Sequence, residues 1–69
     1  MELSARNRLK GTITEIKKGV VTAIISVDIG GGKIITSSIT MDSVISLNLE
    51  VGKEVFAVIK ASNVMIGTD

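Results

Sequence analysis

Sixty-nine residues make one domain at most, read here as a single unit over residues 1–69. A chain this small buries only about 60% of its unfolded surface, so such domains lean on disulfides, metals or oligomerisation. With no Cys and no His the first two are excluded or nearly so, and a net charge of +1 with interspersed signs argues against a strongly basic nucleic-acid binder or a membrane-surface protein.

In chain order, Leu9 to Ile16 is the first predicted strand. Its alternation breaks because Ile13 and Ile16 are three apart, which predicts a bulge or twist. Lys17-Lys18-Gly19 joins it to the clearest strand, Val20 to Ile29. Here Val21, Ala23, Ile25, Val27 and Ile29 share one face, opposite Thr22, Ser26 and Asp28 with Val20 and Ile24. Gly30-Gly31-Gly32 reads as a hairpin turn, where positive φ costs little. Lys33 to Met41 alternates again, with Ile35, Ile39 and Met41 against Thr36, Ser38 and Thr40. Asp42 to Leu47 predicts one helical turn, N-capped by Asp42, with Val44 and Leu47 facing inward together. After a turn at residues 50–53, Glu54 to Lys60 is a fourth strand with apolar residues on both faces, and Phe56 reads as buried. Ser62 to Ile66 is a short fifth strand. The order gives an all-β class: an OB-like five-stranded Greek-key barrel with one short helical turn.

Composition points to assembly. Hydrophobic residues make up 45% of the chain, yet Phe56 is its one aromatic, so burial per residue is modest and contact between copies is the natural remedy. No apolar run approaches the roughly 20 residues that span a bilayer. Met1 is followed by charged residues rather than the apolar core of a signal peptide, so a cytoplasmic location is expected.

Little in the chain can do covalent chemistry. Without His or Cys, nucleophilic triads and imidazole acid–base catalysis are closed, and the seven carboxylates are mostly solitary; no enzyme activity is expected. Gly30-Gly31-Gly32-Lys33 lacks the spacing and terminal hydroxyl of a phosphate loop and is followed by a strand, which favours the hairpin. Single-stranded nucleic acid asks an OB-type barrel for aromatic platforms in a basic groove; one Phe and +1 net charge do not supply them.

Three groups of donors remain. In an extended Ser4-Ala5-Arg6-Asn7, Ser4 and Arg6 point the same way, a hydroxyl beside a planar guanidinium fork suited to oxyanions. Lys60 and Ser62 share a face at the end of an apolar strand, flanking Ala61. Ser43 adds a hydroxyl at the start of the helical turn, where negative charge is favoured. On pattern alone, solvated surface groups and caps are the favoured reading. Nothing in the pattern shows that the three groups converge.

The same residues resemble the molbindins, small molybdenum-pterin-binding-type proteins that bind molybdate. The resemblance spans essentially the whole chain. It is carried by Ser4-Ala5-Arg6-Asn7 with Leu9 and Gly11, by Lys18-Gly19-Val20-Val21, by Ile39-Thr40-Met41-Asp42-Ser43-Val44, and by the closing Val58 to Ile66. It implies a hexamer, a trimer of dimers, with oxyanion sites between subunits. The first site type would use Ser4, Ala5 through its backbone, Arg6, Ser43, Lys60, Ala61 through its backbone, and Ser62. A second type near the threefold axis would use Lys18, Gly19 and Val20, chiefly through backbone amides. The implied ligand is molybdate or tungstate, the implied role storage or buffering, and no metal is directly ligated by side chains. A tetrahedral dianion is held by hydrogen bonds to its oxygens, so the missing His and Cys are no obstacle. The alternative reading is an OB-type regulatory or scaffold module whose ligand is a protein or oligonucleotide.

Overall fold

The computed structural model describes residues 5–69. Its elements are β1 (Asn7–Lys18), β2 (Thr22–Asp28), β3 (Ile34–Thr40), α1 (Met41–Ser46), β4 (Glu54–Ile59) and a 3-10 turn at Ala61–Asn63. The four strands form one antiparallel sheet in the order β3-β2-β1-β4.

The core follows from the alternation on β2. Ala23, Ile25 and Val27 are buried, and Ile13 of β1 and Val44 of α1 complete the buried set. The irregularity expected on β1 is a register shift between Ile13 and Glu15. Ile13 lies opposite Val27 and Ile16 opposite Ile25, so the extra residue lets two isoleucines three apart face one interior. Thr14, the residue inserted, donates its hydroxyl to the Ser26 carbonyl at 3.3 Å. Gly11 lies on the same inward face, and a Cβ there would come within 2.5 Å of the Asp28 carbonyl and 2.7 Å of Val27 Cγ1. A side chain at that position would push β1 off β2, so glycine sets the bend of the sheet.

Between β2 and β3, Gly30, Gly31 and Gly32 all take positive φ, as the hairpin requires. The helix begins one residue earlier than the sequence pattern predicts. Thr40, not Asp42, is the N-cap: its hydroxyl accepts from the Ser43 amide at 3.1 Å, while Asp42 lies in the first turn. The helix closes with Asn48 at φ 53. There the Leu49 amide donates to the Val44 carbonyl and the Asn48 amide to the Ile45 carbonyl, the two-bond arrangement of a left-handed cap. Lys53 Nζ adds bonds to the Leu47 and Asn48 carbonyls at 2.8 and 3.1 Å.

Three further expectations change. Leu47 is 58% exposed rather than inward beside Val44, because the helix unwinds into its cap at that residue. Phe56 is 53% exposed rather than buried, because β4 is an edge strand whose outer face the other described residues leave uncovered. Among the described residues, 62–66 form no strand: Ser62 and Asn63 belong to the 3-10 turn, and Val64 is extended outside any ladder. The described residues therefore give an all-β curled sheet of four strands with one short helix. Its inner face opens onto an apolar trough of about 880 Å³, lined from both edges by Ile35 and Ile39 of β3 and Val55, Ala57 and Ile59 of β4.

Candidate oxyanion site

The β1–β4 ladder decides which donors meet. Its last pair is Asn7 with Ile59, so Arg6 and Lys60 are the next residues on adjacent antiparallel strands. Neighbouring strands lie about 4.8 Å apart, which sets the two backbones side by side at one end of the sheet. Neither the Arg6 guanidinium nor the Lys60 ammonium has a hydrogen-bond or ion-pair partner among the described residues. Lys60 then caps the 3-10 turn. Its carbonyl accepts from the Asn63 amide at 2.8 Å, and the Ala61 carbonyl accepts from the Val64 amide at 3.2 Å. The amides of Ala61 and Ser62 open that turn and donate to nothing among the described residues. The cluster at this end thus holds a guanidinium, an ammonium, the Ser62 hydroxyl and two open amides. Ser4 lies outside the described residues, and Ala5 is half-buried just before Arg6.

Ser43 is not in that cluster. Thr40 pairs with Thr22 at the start of β2, and Ala23 pairs with Lys18 at the end of β1. The helix therefore starts at the opposite end of the sheet, where the Met41 amide also donates to the Val21 carbonyl at 2.8 Å. Strands advance about 3.3 Å per residue, so the twelve-residue β1 sets the helix start a strand length, on the order of 30 Å, from Arg6. Within one chain, the register sets Arg6 beside Lys60 at the head of the Ala61–Asn63 turn, and Ser43 lies at the other end of the sheet.

The Ser43 surroundings also narrow what it can offer. Its amide is taken by Thr40 Oγ1, so its own contribution to a ligand is its Oγ, which lies 2.9 Å from Thr40 Oγ1. At the same end of the sheet, Lys18 closes β1, Gly19 follows it, and Val20 and Val21 form the bend. The Gly19 amide donates to the Thr22 carbonyl at 2.8 Å and is not open to a ligand. A Cβ on Gly19 would meet that same carbonyl at 2.7 Å, so glycine is needed here for close backbone approach. Val20 is 98% exposed, with an amide that has no partner among the described residues. Thr40 and Lys53 are the residues pattern reading missed: Thr40 was legible in the Thr-x-x-Ser spacing, whereas Lys53 reaches back from a separate turn without a local signal. Among the described residues no three acidic side chains gather as a cation site.

The fold is that of a small β domain built on one antiparallel sheet, and likeness to known proteins gives its family. Residues 3–66 match the TOBE domain. The chain is 51% identical over its full length to the full length of a probable molybdenum-pterin-binding protein of Haemophilus influenzae. Among solved structures, a molybdate-binding protein from Sporomusa ovata superposes with a TM-score of 0.92 at 40% identity, over 99% of this chain and 100% of that one. The cytoplasmic molybdate-binding protein ModG, with molybdate bound, gives 0.94 at 45% identity over all of this chain and 49% of that one. The chain belongs to the TOBE-domain family, among the molybdenum-pterin-binding proteins.

Proposed function

We propose that this protein binds molybdate, or the similar tungstate, without catalysing a reaction, and acts as a cytoplasmic store or buffer. The observation that carries the reading is the cluster at the Asn7–Ile59 end of the sheet: Arg6, Lys60, Ser62 and the open amides of Ala61 and Ser62 are all donors. An oxyanion accepts hydrogen bonds and offers none, so donors are what its pocket needs. A charge-assisted bond contributes about 1.5–3 kcal/mol, so four to six of them support micromolar binding, which corresponds to about 8 kcal/mol. Relatives of near-equal length bear molybdenum-binding names, and two solved relatives bind molybdate.

The pocket is shared between copies. Ser43 stands a strand length from Arg6 in its own chain, so a pocket using both takes Ser43 from a neighbour. Two open sheet edges, the apolar trough and the exposed Met65 and Ile66 (93% and 89%) supply surface for such contact. The assembly we propose is a homohexamer, a trimer of dimers, in which the segment of residues 62–66 completes a five-stranded OB-like Greek-key barrel. The second site type, near the threefold axis, draws on Lys18 and the Val20 amide, with Gly19 serving close approach rather than donation.

Titration calorimetry with molybdate, sulfate and single-stranded DNA tests the reading. Binding heat is expected with molybdate, less or none with the smaller sulfate, and none with DNA. No heat with molybdate at physiological salt, or heat with DNA alone, would contradict it.

A further inference from the structure

The pair Thr40–Ser43 does more than a helix start requires. Capping needs one bond, from the Ser43 amide to Thr40 Oγ1, and that bond is present at 3.1 Å. A second contact, 2.9 Å between Thr40 Oγ1 and Ser43 Oγ, joins the two hydroxyls. Each hydroxyl carries one hydrogen and two acceptor lone pairs. With no ligand, either oxygen can be the donor in that contact. A bound oxyanion removes the choice. It only accepts, so a Ser43 hydroxyl touching it must spend its single hydrogen outward. The hydrogen between the two oxygens then has to come from Thr40.

We propose that Thr40 is a positioning residue for the oxyanion: it donates its hydroxyl hydrogen to Ser43 Oγ and thereby holds the Ser43 O–H pointing at the ligand. The inference rests on the assignment of Ser43 to the pocket made above. The chain of bonds runs from the Ser43 amide to Thr40 Oγ1, from the Thr40 hydroxyl to Ser43 Oγ, and from the Ser43 hydroxyl to the anion. Each donation polarises the next, which makes the last hydroxyl a better donor than an isolated serine. The base under this relay is fixed. Thr40 closes the β3 ladder opposite Thr22, and the far end of the helix is held by the Asn48 cap and by Lys53. An asparagine at position 40 would cap the helix equally well through its Oδ1, which takes the place of Thr40 Oγ1 but carries no hydrogen; its N–H donors sit on the other arm of the amide, away from that oxygen.

That difference gives the test, read by molybdate titration of the assembled protein and by melting without molybdate. Thr40→Ser keeps cap and relay and is expected to bind within about twofold of the parent. Thr40→Asn keeps the cap, since asparagine is at least as good an N-cap as threonine, so its melting temperature should hold within about 2 °C. Its molybdate affinity is expected to fall by about five- to tenfold, because Ser43 then turns its hydrogen to the asparagine oxygen. In a Ser43→Ala background, Thr40→Asn should cost nothing further. Parent-like affinity in Thr40→Asn while Ser43→Ala binds weakly would overturn the relay alone and leave Thr40 a cap. An undiminished Thr40→Asn effect on top of Ser43→Ala would also overturn it. Parent-like binding by Ser43→Ala itself would overturn both the relay and the placement of Ser43 in the pocket.

Discussion

At the scale of single residues, the protein sets positive and neutral donors where none of the other described residues uses them. Arg6 and Lys60 extend past the last β1–β4 pair, and the first two amides of the following 3-10 turn stay open beside them. Because neither cation has a partner among the described residues, removing one should leave the fold alone. Arg6→Ala and Lys60→Ala are each expected to weaken molybdate binding at least about tenfold, with an unchanged circular dichroism spectrum. Parent-like affinity in both would mean that the cluster is not the pocket. The identities of these donors were legible in the sequence, because Arg6 and Lys60 stand beside small polar residues at the ends of apolar strands. Their placement on adjacent strands was not, because it depends on the Asn7–Ile59 register between segments some fifty residues apart. Thr40 shows a finer limit. Thr40 and Asp42 both cap well, and only the backbone path out of β3 selects Thr40.

At the scale of elements, local patterns predicted what local physics controls. The three-residue spacing of Ile13 and Ile16 foretold the register shift, and the glycine run foretold the hairpin. The fifth strand at Ser62 to Ile66 was not settled by its pattern, because a strand also needs a partner edge, and among the described residues this segment pairs with none. Burial of Phe56 and Leu47 failed for a related reason: periodicity marks a face as apolar without saying whether the same chain covers it. The six-residue helix is the element whose existence depends least on propensity, being too short to persist alone. Its caps and the Lys53 contacts hold it. Lys53→Met keeps the stem and removes the two bonds to the Leu47 and Asn48 carbonyls, and should lower stability by about 1 kcal/mol in chemical denaturation. An unchanged midpoint would show that the left-handed cap alone secures the helix end.

At the scale of the whole molecule, one chain looks like half of an arrangement. Among the described residues, the core of five buried hydrophobic side chains is small, the sheet has two open edges, and its inner face lines a trough that both edge strands border. The donors follow the same logic, with the Arg6–Lys60 cluster at one end of the sheet and Ser43 at the other. Assembly that covers apolar surface would thereby also build the pocket, so ligand binding and association should stabilise one another.

The central claim, that each pocket takes Arg6 and Lys60 from one copy and Ser43 from another, is tested most directly by mixing defects. Chains carrying Arg6→Ala and chains carrying Ser43→Ala each lack one half of every pocket when assembled alone. Co-expressed in equal amounts, they form mixed oligomers in which about a quarter of the pockets receive both intact halves. Calorimetry of the mixture should then recover tight molybdate binding in about that fraction of sites, while neither parent variant shows it. A mixture that binds no better than its two components would contradict the shared pocket.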